Sequence, residues 1–338
     1  DSALAANTTG TQNVAVGKGA LVANTTASYN TAVGYAALDA QTTGDGYNTA
    51  IGWNSMTANT TGNVQVGVGA NSMQANTTGS QNTGVGGNSL YANTTGSDNV
   101  AVGHNALDAN TTASNNTAVG TSALTANTTG ANNTGIGLNA LGANTTGINN
   151  IAVGAYAGDA NTTGHYNVAL GTLALTANTT ADANTAIGTE AMASNTTGAN
   201  NVAIGKGTLG ANTTGTQNTA VGAEAMDATT TGGYNVGIGN GALGANTTGQ
   251  YNVAIGREAL VANTTADSNT AVGRNSLGAN TTGTRNTAVG AIALDAITTG
   301  VDSTALGYAA LSAATGDRNV AIGSYAMDST TTGANNTA

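Results

Sequence analysis

The chain has 338 residues, no cysteine, no proline and no phenylalanine, and a formal net charge of −10 with only 6 Lys and Arg against 16 Asp and Glu. That composition excludes a disulfide framework and a thiolate metal site. So few basic residues exclude a phosphate-backbone partner, so no nucleic acid is expected. No apolar run reaches the length of a membrane helix, and no membrane insertion is expected.

A phrase of 17 residues, x-x-N-[TV]-A-[VI]-G-x-x-A-L-x-A-N-T-T-G, recurs along the chain. Its first glycine falls at Gly17, Gly34, Gly52, Gly69 and onward to Gly307 and Gly323. One residue is inserted around Asp45-Gly46-Tyr47 and one is lost around Ala313-Ala314-Thr315, so the length equals twenty repeats of 17 less two. A short fixed period marks a solenoid whose coils bury their apolar sides against neighbours. The expected architecture is an all-β parallel β-solenoid of about twenty coils, forming one domain over 1–338, roughly 95 Å long at one strand spacing per coil. The phrase runs to both termini without an atypical cap, and solenoids are expected to cover their open edges. The uncapped pattern predicts a segment of something longer or subunits stacked end to end.

Within the coil, position four is β-branched in every copy, from Val14 and Thr31 to Val320 and Thr337, and position six is Val, Ile or Leu. Position five between them is Ala or Gly only. This alternation predicts a strand with four and six on one face and five on the other. Position eleven is Leu in fourteen copies and Met in five (Met56, Met73, Met192, Met226, Met327), with Gly158 the exception. Positions four, six, eleven and thirteen are therefore expected inside each coil, the Val and Leu contributing about 1.5–3 kcal/mol each. Positions five and ten are expected to form a smooth outer face of small residues that admits another solenoid. Position seven is Gly in every copy, which predicts a positive φ or a close backbone approach. Position three is Asn in eighteen of twenty copies, with Gln65 and Ser303 the exceptions, which predicts an amide ladder along the axis.

Positions fourteen to sixteen read Asn-Thr-Thr in fifteen copies; the replacements at fourteen are Gln41, Thr229, Ile297 and Thr330, and one copy is shortened at Ala314-Thr315. Each Asn-Thr-Thr is formally an N-glycosylation acceptor. Loose substitution at fourteen suggests an outward side chain, so the candidate glycan sites are Asn7, Asn24, Asn59, Asn76, Asn93, Asn110, Asn127, Asn144, Asn161, Asn178, Asn195, Asn212, Asn246, Asn263 and Asn280. The plain alternative is a corner with hydrogen-bonded side-chain ladders. A third use, a flat Thr array that binds ice, is weakened because adjacent Thr residues point to opposite faces of a strand.

No enzyme is legible. Every charged residue falls at a variable position or at the insertion, and His104 and His165 lie several coils apart. Asp39, Asp108, Asp159, Asp227, Asp295 and Asp328 share position twelve but never in adjacent coils, which denies calcium its cluster of oxygens. No catalytic residue, metal site or cofactor is expected. Trp53 and the tyrosines read as surface aromatics or scattered contact points.

The phrase N-[TV]-A-[VI]-G followed by A-L, as in Asn30-Thr31-Ala32-Val33-Gly34 with Ala37-Leu38, resembles the head repeats of trimeric autotransporter adhesins and the repeats of phage and bacterial tail-fibre-like proteins. The resemblance covers the whole chain. It implies left-handed parallel β-rolls, three chains packed side by side and an extracellular or cell- or virion-surface location. The expected function is a structural subunit of an extracellular fibre or filament. Its partner is itself, as a homotrimer or a head-to-tail filament, with glycans or a cell surface as further partners. The competing expectation is an ice-binding or carbohydrate-binding solenoid acting through the Thr ladder.

Overall fold

A computed structural model describes residues 2–329 and 331–338. The chain is an all-β parallel β-solenoid. Among the described residues there are nineteen strands of three residues each, from β1 (Val14–Val16) to β19 (Val320–Ile322), and no helix. Two compact units, Asp1–Asn167 and Val168–Ala338, are built from the same coil. The first carries β1 to β9 (Ile151–Val153) and the second β10 (Val168–Leu170) to β19. Inside each unit, successive strands pair in parallel with equivalent residues opposite one another, as in Val14↔Thr31 and Val16↔Val33. The inserted residue leaves this register intact: β2 (Thr31–Val33) meets β3 (Thr49–Ile51) as Thr31↔Thr49. At the deletion, Thr304 of β18 (Thr304–Leu306) meets Val320, and the Thr315 N–H still reaches the Thr331 carbonyl at 2.7 Å.

The strand lies where the β-branched residues predict it, but its faces are reversed. Position five is the buried one: Ala32, Ala50, Ala101 and Ala118 have no exposed surface, and position ten is buried in the same way at Ala37, Ser55, Ser72 and Ala106. Positions four and six look outward. Position thirteen, expected inside, is half-buried. The interior therefore consists of Asn at three, Ala or Gly at five, Ala, Ser or Thr at ten, Leu or Met at eleven, Asn at fourteen and Gly or Ala at seventeen.

The reason is volume. The coil is too narrow to hold a Val and a Leu on opposite walls. Leu at position eleven fills the lumen alone, as at Leu38, Leu107 and Leu243, which are fully buried. Position five is left only the room of a methyl group. The limit can be read in size exchanges: Met56 stands against Gly67, Met73 against Gly84 and Met226 against Gly237. A Cβ on Gly237 would lie 2.7 Å from Cγ and 2.9 Å from Sδ of Met226. Gly158 reverses the exchange. Leu141 leans toward the space it leaves, with Cδ2 3.2 Å from where a Cβ would stand.

Both possible reasons for the glycine at position seven hold. Its φ lies near +135°, for example +132° at Gly137, and a Cβ there would sit 2.6 Å from the carbonyl oxygen of Gly154 in the next coil. Three further residues per coil are left-handed without being obligatory glycines: positions two, nine and eleven, as at Tyr29 (φ 63°), Asn88 (φ 56°) and Leu90 (φ 50°). Asn and Gly are common at nine, which suits that region. Leu at eleven does not, and its strain of about 1–2 kcal/mol is offset by burial of about 1.5–3 kcal/mol. The corner is closed by short turns, Ala106 N–H to the Gly103 carbonyl at 3.4 Å and Asn110 N–H to the Leu107 carbonyl at 3.2 Å.

The volume limit predicts coupling across the lumen. Gly237→Ala should destabilise the protein by about 1–3 kcal/mol through overpacking, and Met226→Leu should recover most of that loss in the double variant. Urea denaturation of the two single variants and the pair measures the interaction; additive effects would contradict the shared-volume account.

Candidate interaction surface

Each strand points two β-branched or aliphatic side chains away from the coil. In the first unit the outward pairs run from Val14 and Val16 through Thr83 and Val85 to Ile151 and Val153; in the second, from Val168 and Leu170 to Val320 and Ile322. No charged residue occupies either position in any copy. Neighbouring strands do not cover the pairs: Ile136 is 38 % exposed, Ile151 43 % and Ile255 38 %, while the Leu residues inside are at or near zero. At a strand spacing of about 4.8 Å and about 7 Å between alternate residues, each unit presents a flat, charge-free strip on the order of 300 Å². A single strip of that size equals the largest patch of a typical soluble monomer, and this chain has one on each unit. The small-residue face expected at positions five and ten is inside the coil and is unavailable to a partner.

The candidate glycosylation residues lie inside as well. Asn24, Asn59, Asn76, Asn93, Asn110, Asn127, Asn144, Asn161, Asn178, Asn195, Asn212, Asn246, Asn263 and Asn280 are fully buried, and Asn7 is half-buried. The expectation of an outward side chain is corrected by their hydrogen bonds. Nδ2 of Asn127 donates to Oδ1 of Asn110 at 3.1 Å and to the carbonyl of Gly130 at 2.9 Å. Nδ2 is the atom an N-linked glycan would occupy, and it is enclosed and bonded in the folded coil. The Asn ladder expected at position three is present and shares the same acceptor: Nδ2 of Asn116 donates to the Gly130 carbonyl at 3.0 Å, and Oδ1 of Asn116 accepts the Asn133 N–H at 2.9 Å. Two amide ladders thus meet at the carbonyl of position seventeen. Ser303 keeps the chain of bonds through its hydroxyl, which accepts the Asn319 N–H at 3.2 Å.

Substitutions at position fourteen, read from sequence as tolerance, are breaks in this ladder. Asn24 precedes Gln41, Asn212 precedes Thr229 and Asn280 precedes Ile297, and in all three the Asn Oδ1 is buried without a partner. Gln41 repairs the next link, its Oε1 accepting from Nδ2 of Asn59. Thr330 lies outside the described residues. The first Thr of each N-T-T is also committed, its Oγ1 donating to the carbonyl of its counterpart one coil on, as in Thr94 to Thr111 at 2.9 Å. The second Thr, for example Thr95, is exposed.

Charged and aromatic residues decorate the outside in ladders of their own. Arg285 pairs with Asp302 of the next coil, Nε to Oδ1 at 2.6 Å and Nη2 to Oδ2 at 3.1 Å, and this hydrogen-bonded guanidinium holds Asp302 below the usual carboxylate range. Tyr29 stacks on Tyr47 with ring centroids 4.7 Å apart, and Tyr234 on Tyr251 at 5.1 Å. Of the position-twelve acids, burial pushes Asp39, Asp227 and Asp295 above the ordinary value. Among the described residues, no three His, Cys, Asp or Glu side chains gather as a metal site, and no helix is long and apolar enough to cross a membrane. No family model matches the chain, and no curated protein matches it.

Repairing the ladder should stabilise the chain. Thr229→Asn supplies a donor to the orphaned Oδ1 of Asn212 and removes the unpartnered Thr229 hydroxyl, a gain of about 1–3 kcal/mol, seen as a raised thermal midpoint. The partly desolvated acids set a pH dependence of opposite sign to an ion-paired carboxylate. A raised folded-state pKa contributes stability below the unfolded pKa that is lost as pH rises through the folded one. Asp295→Asn should therefore stabilise at about pH 7 and have little effect at about pH 3; equal effects at both, by denaturant titration, would refute the assignment.

Proposed function

We propose that this chain is a structural subunit of an extracellular fibre or filament, in which copies associate laterally through the strip formed by positions four and six. One observation carries the reading: the flat strip is free of charge, its polar groups are only the Thr hydroxyls at position four, and its width and spacing repeat through each unit. Each strip, on the order of 300 Å², would form the centre of an interface completed by neighbouring positions, a standard stable interface taking about 800 Å² from each partner. An apolar, charge-free centre is what the core of such an interface requires. The resemblance to trimeric adhesin heads supports three copies, each turning its strip toward a common axis, at a cell or virion surface. The axial hydrogen-bond ladders then supply resistance to extension, and variable positions one, two, eight, nine and twelve display surface chemistry.

A second reading keeps one observation in its favour. Thr stands at position four in eleven copies, nine of them beside Val or Ile at six, on a flat outward face of regular spacing. Such an array is suited to ordering water as well as to packing. A thermal-hysteresis measurement separates the two, because a strip sealed in an oligomer leaves no ice-binding activity.

Sedimentation equilibrium should return a multiple of 32.3 kDa, three for the trimer. The double variant Ile136→Glu, Val153→Glu should reduce the mass to that of one chain while leaving the far-ultraviolet spectrum unchanged. A 32.3 kDa species of the unaltered chain at every concentration would remove the proposal. An open series of lengths indifferent to the Glu substitutions would favour head-to-tail assembly instead.

A further inference from the structure

On a different face of the first unit, a groove runs between positions nine and twelve. Position nine is Asn in four successive coils, Asn54, Asn71, Asn88 and Asn105. Nδ2 of Asn71 donates to Oδ1 of Asn88 at 3.1 Å, and Nδ2 of Asn88 to Oδ1 of Asn105 at 3.1 Å. Each of these amide groups has a second hydrogen to give. Oδ1 of Asn71 is buried and has no partner at all. The opposite wall holds Tyr91, 42 % exposed, and Asp108, whose Oδ1 accepts the Thr125 hydroxyl at 2.8 Å. Asn71, Asn88, Tyr91 and Asp108 together line an open depression of about 310 Å³.

We propose that this depression binds a neutral oligosaccharide, with one sugar ring stacked on Tyr91 and its hydroxyls held by Asn71, Asn88 and Asp108. The chemistry selects the ligand class. An aromatic face beside amides and a carboxylate matches a molecule with one C–H-rich face and a rim of groups that both donate and accept hydrogen bonds. A sugar hydroxyl can donate to the second oxygen of Asp108 and can accept from the amide nitrogens of Asn71 and Asn88. An anion would be repelled by Asp108. A metal ion would find one carboxylate where it needs several close oxygens. The volume lies at the lower end of small-molecule sites and accommodates one or two rings. Successive coils about 4.8 Å apart place equivalent amides at close to the advance of one sugar unit in an extended chain, so a longer oligomer would lie along the solenoid axis.

The fold contains its own contrast. A second depression of about 240 Å³, lined by Thr125, Asn139, Gly142, Ala143 and Asp159, lies farther along between the same two repeat positions. There a glycine occupies position twelve one coil before the Asp, where the first depression has its tyrosine. Without a ring to stack on, it is the weaker site.

The test is isothermal titration calorimetry of the full chain with cellotetraose, maltotetraose and chitotetraose. Saturable binding of at least one is expected. Tyr91→Ala and Asp108→Asn should each weaken it by about tenfold or more, Tyr91→Phe should retain it, and Asp159→Asn should leave it within about twofold. A circular-dichroism melt confirms that each variant folds. No binding of any of the three at millimolar concentration, or an affinity unchanged in Tyr91→Ala, overturns the proposal. The inference is independent of lateral association, since the strip-disrupting Glu variant is expected to bind the oligomer as the parent does.

Discussion

The carbonyl of position seventeen is the point on which the coil turns. It accepts one amide hydrogen from the Asn at fourteen and another from the Asn at three of the same repeat, as Gly147 does from Asn144 at 3.1 Å and Asn133 at 2.8 Å. A buried carbonyl with both lone pairs used, and buried amides with their donors used, remove the main penalty of a polar interior. The arrangement holds only if the backbone at seventeen comes close to both side chains, which is why that position stays Gly or Ala. It also narrows the coil. A narrow coil leaves room for one large side chain, Leu or Met, and the strand wall facing it must be Ala or Gly.

From that narrowness the rest of the molecule follows. With position five forced inward, positions four and six are forced out, because the side chains of a strand alternate. Those outward residues are the ones that specify a strand, since β-branched side chains stabilise the pleated backbone whichever way they face. The coil therefore cannot form its sheet without exposing an apolar strip. The strip is in this sense a consequence of the coil's bore: the outward surface is created by the interior being too small to hold it.

Fold class, period, strand location and the obligatory glycine were legible because each leaves a one-residue signature that twenty copies repeat. The faces were misread because small residues at position five look like a spacer until their partners are considered. The informative signal was covariation inside the chain: Gly67, Gly84 and Gly237 each follow a Met in the coil before, a mark of shared volume. Position fourteen misled for a related reason. Gln41, Thr229 and Ile297 look like freedom in the sequence, whereas each leaves an orphaned acceptor on the Asn before it. The groove lined by Asn71, Asn88, Tyr91 and Asp108 left no sequence signal strong enough to read, because it joins two variable positions that meet only across a corner. Left-handed Leu residues were equally hidden, since local preference opposes them and only coil closure imposes them.

The amide ladder at position fourteen has a direction. Nδ2 always donates toward the earlier coil, as Asn110 does to Asn93 and Asn93 to Asn76, so the dipoles along a run align and its last member is left with an unfilled oxygen. Each interruption therefore produces one such terminus, however many coils the run contains. Lengthening a run by whole repeats adds bonded pairs and no new terminus. The energetic penalty counts interruptions rather than coils, which makes this architecture one whose length can change by duplication or loss of repeats at little cost to stability.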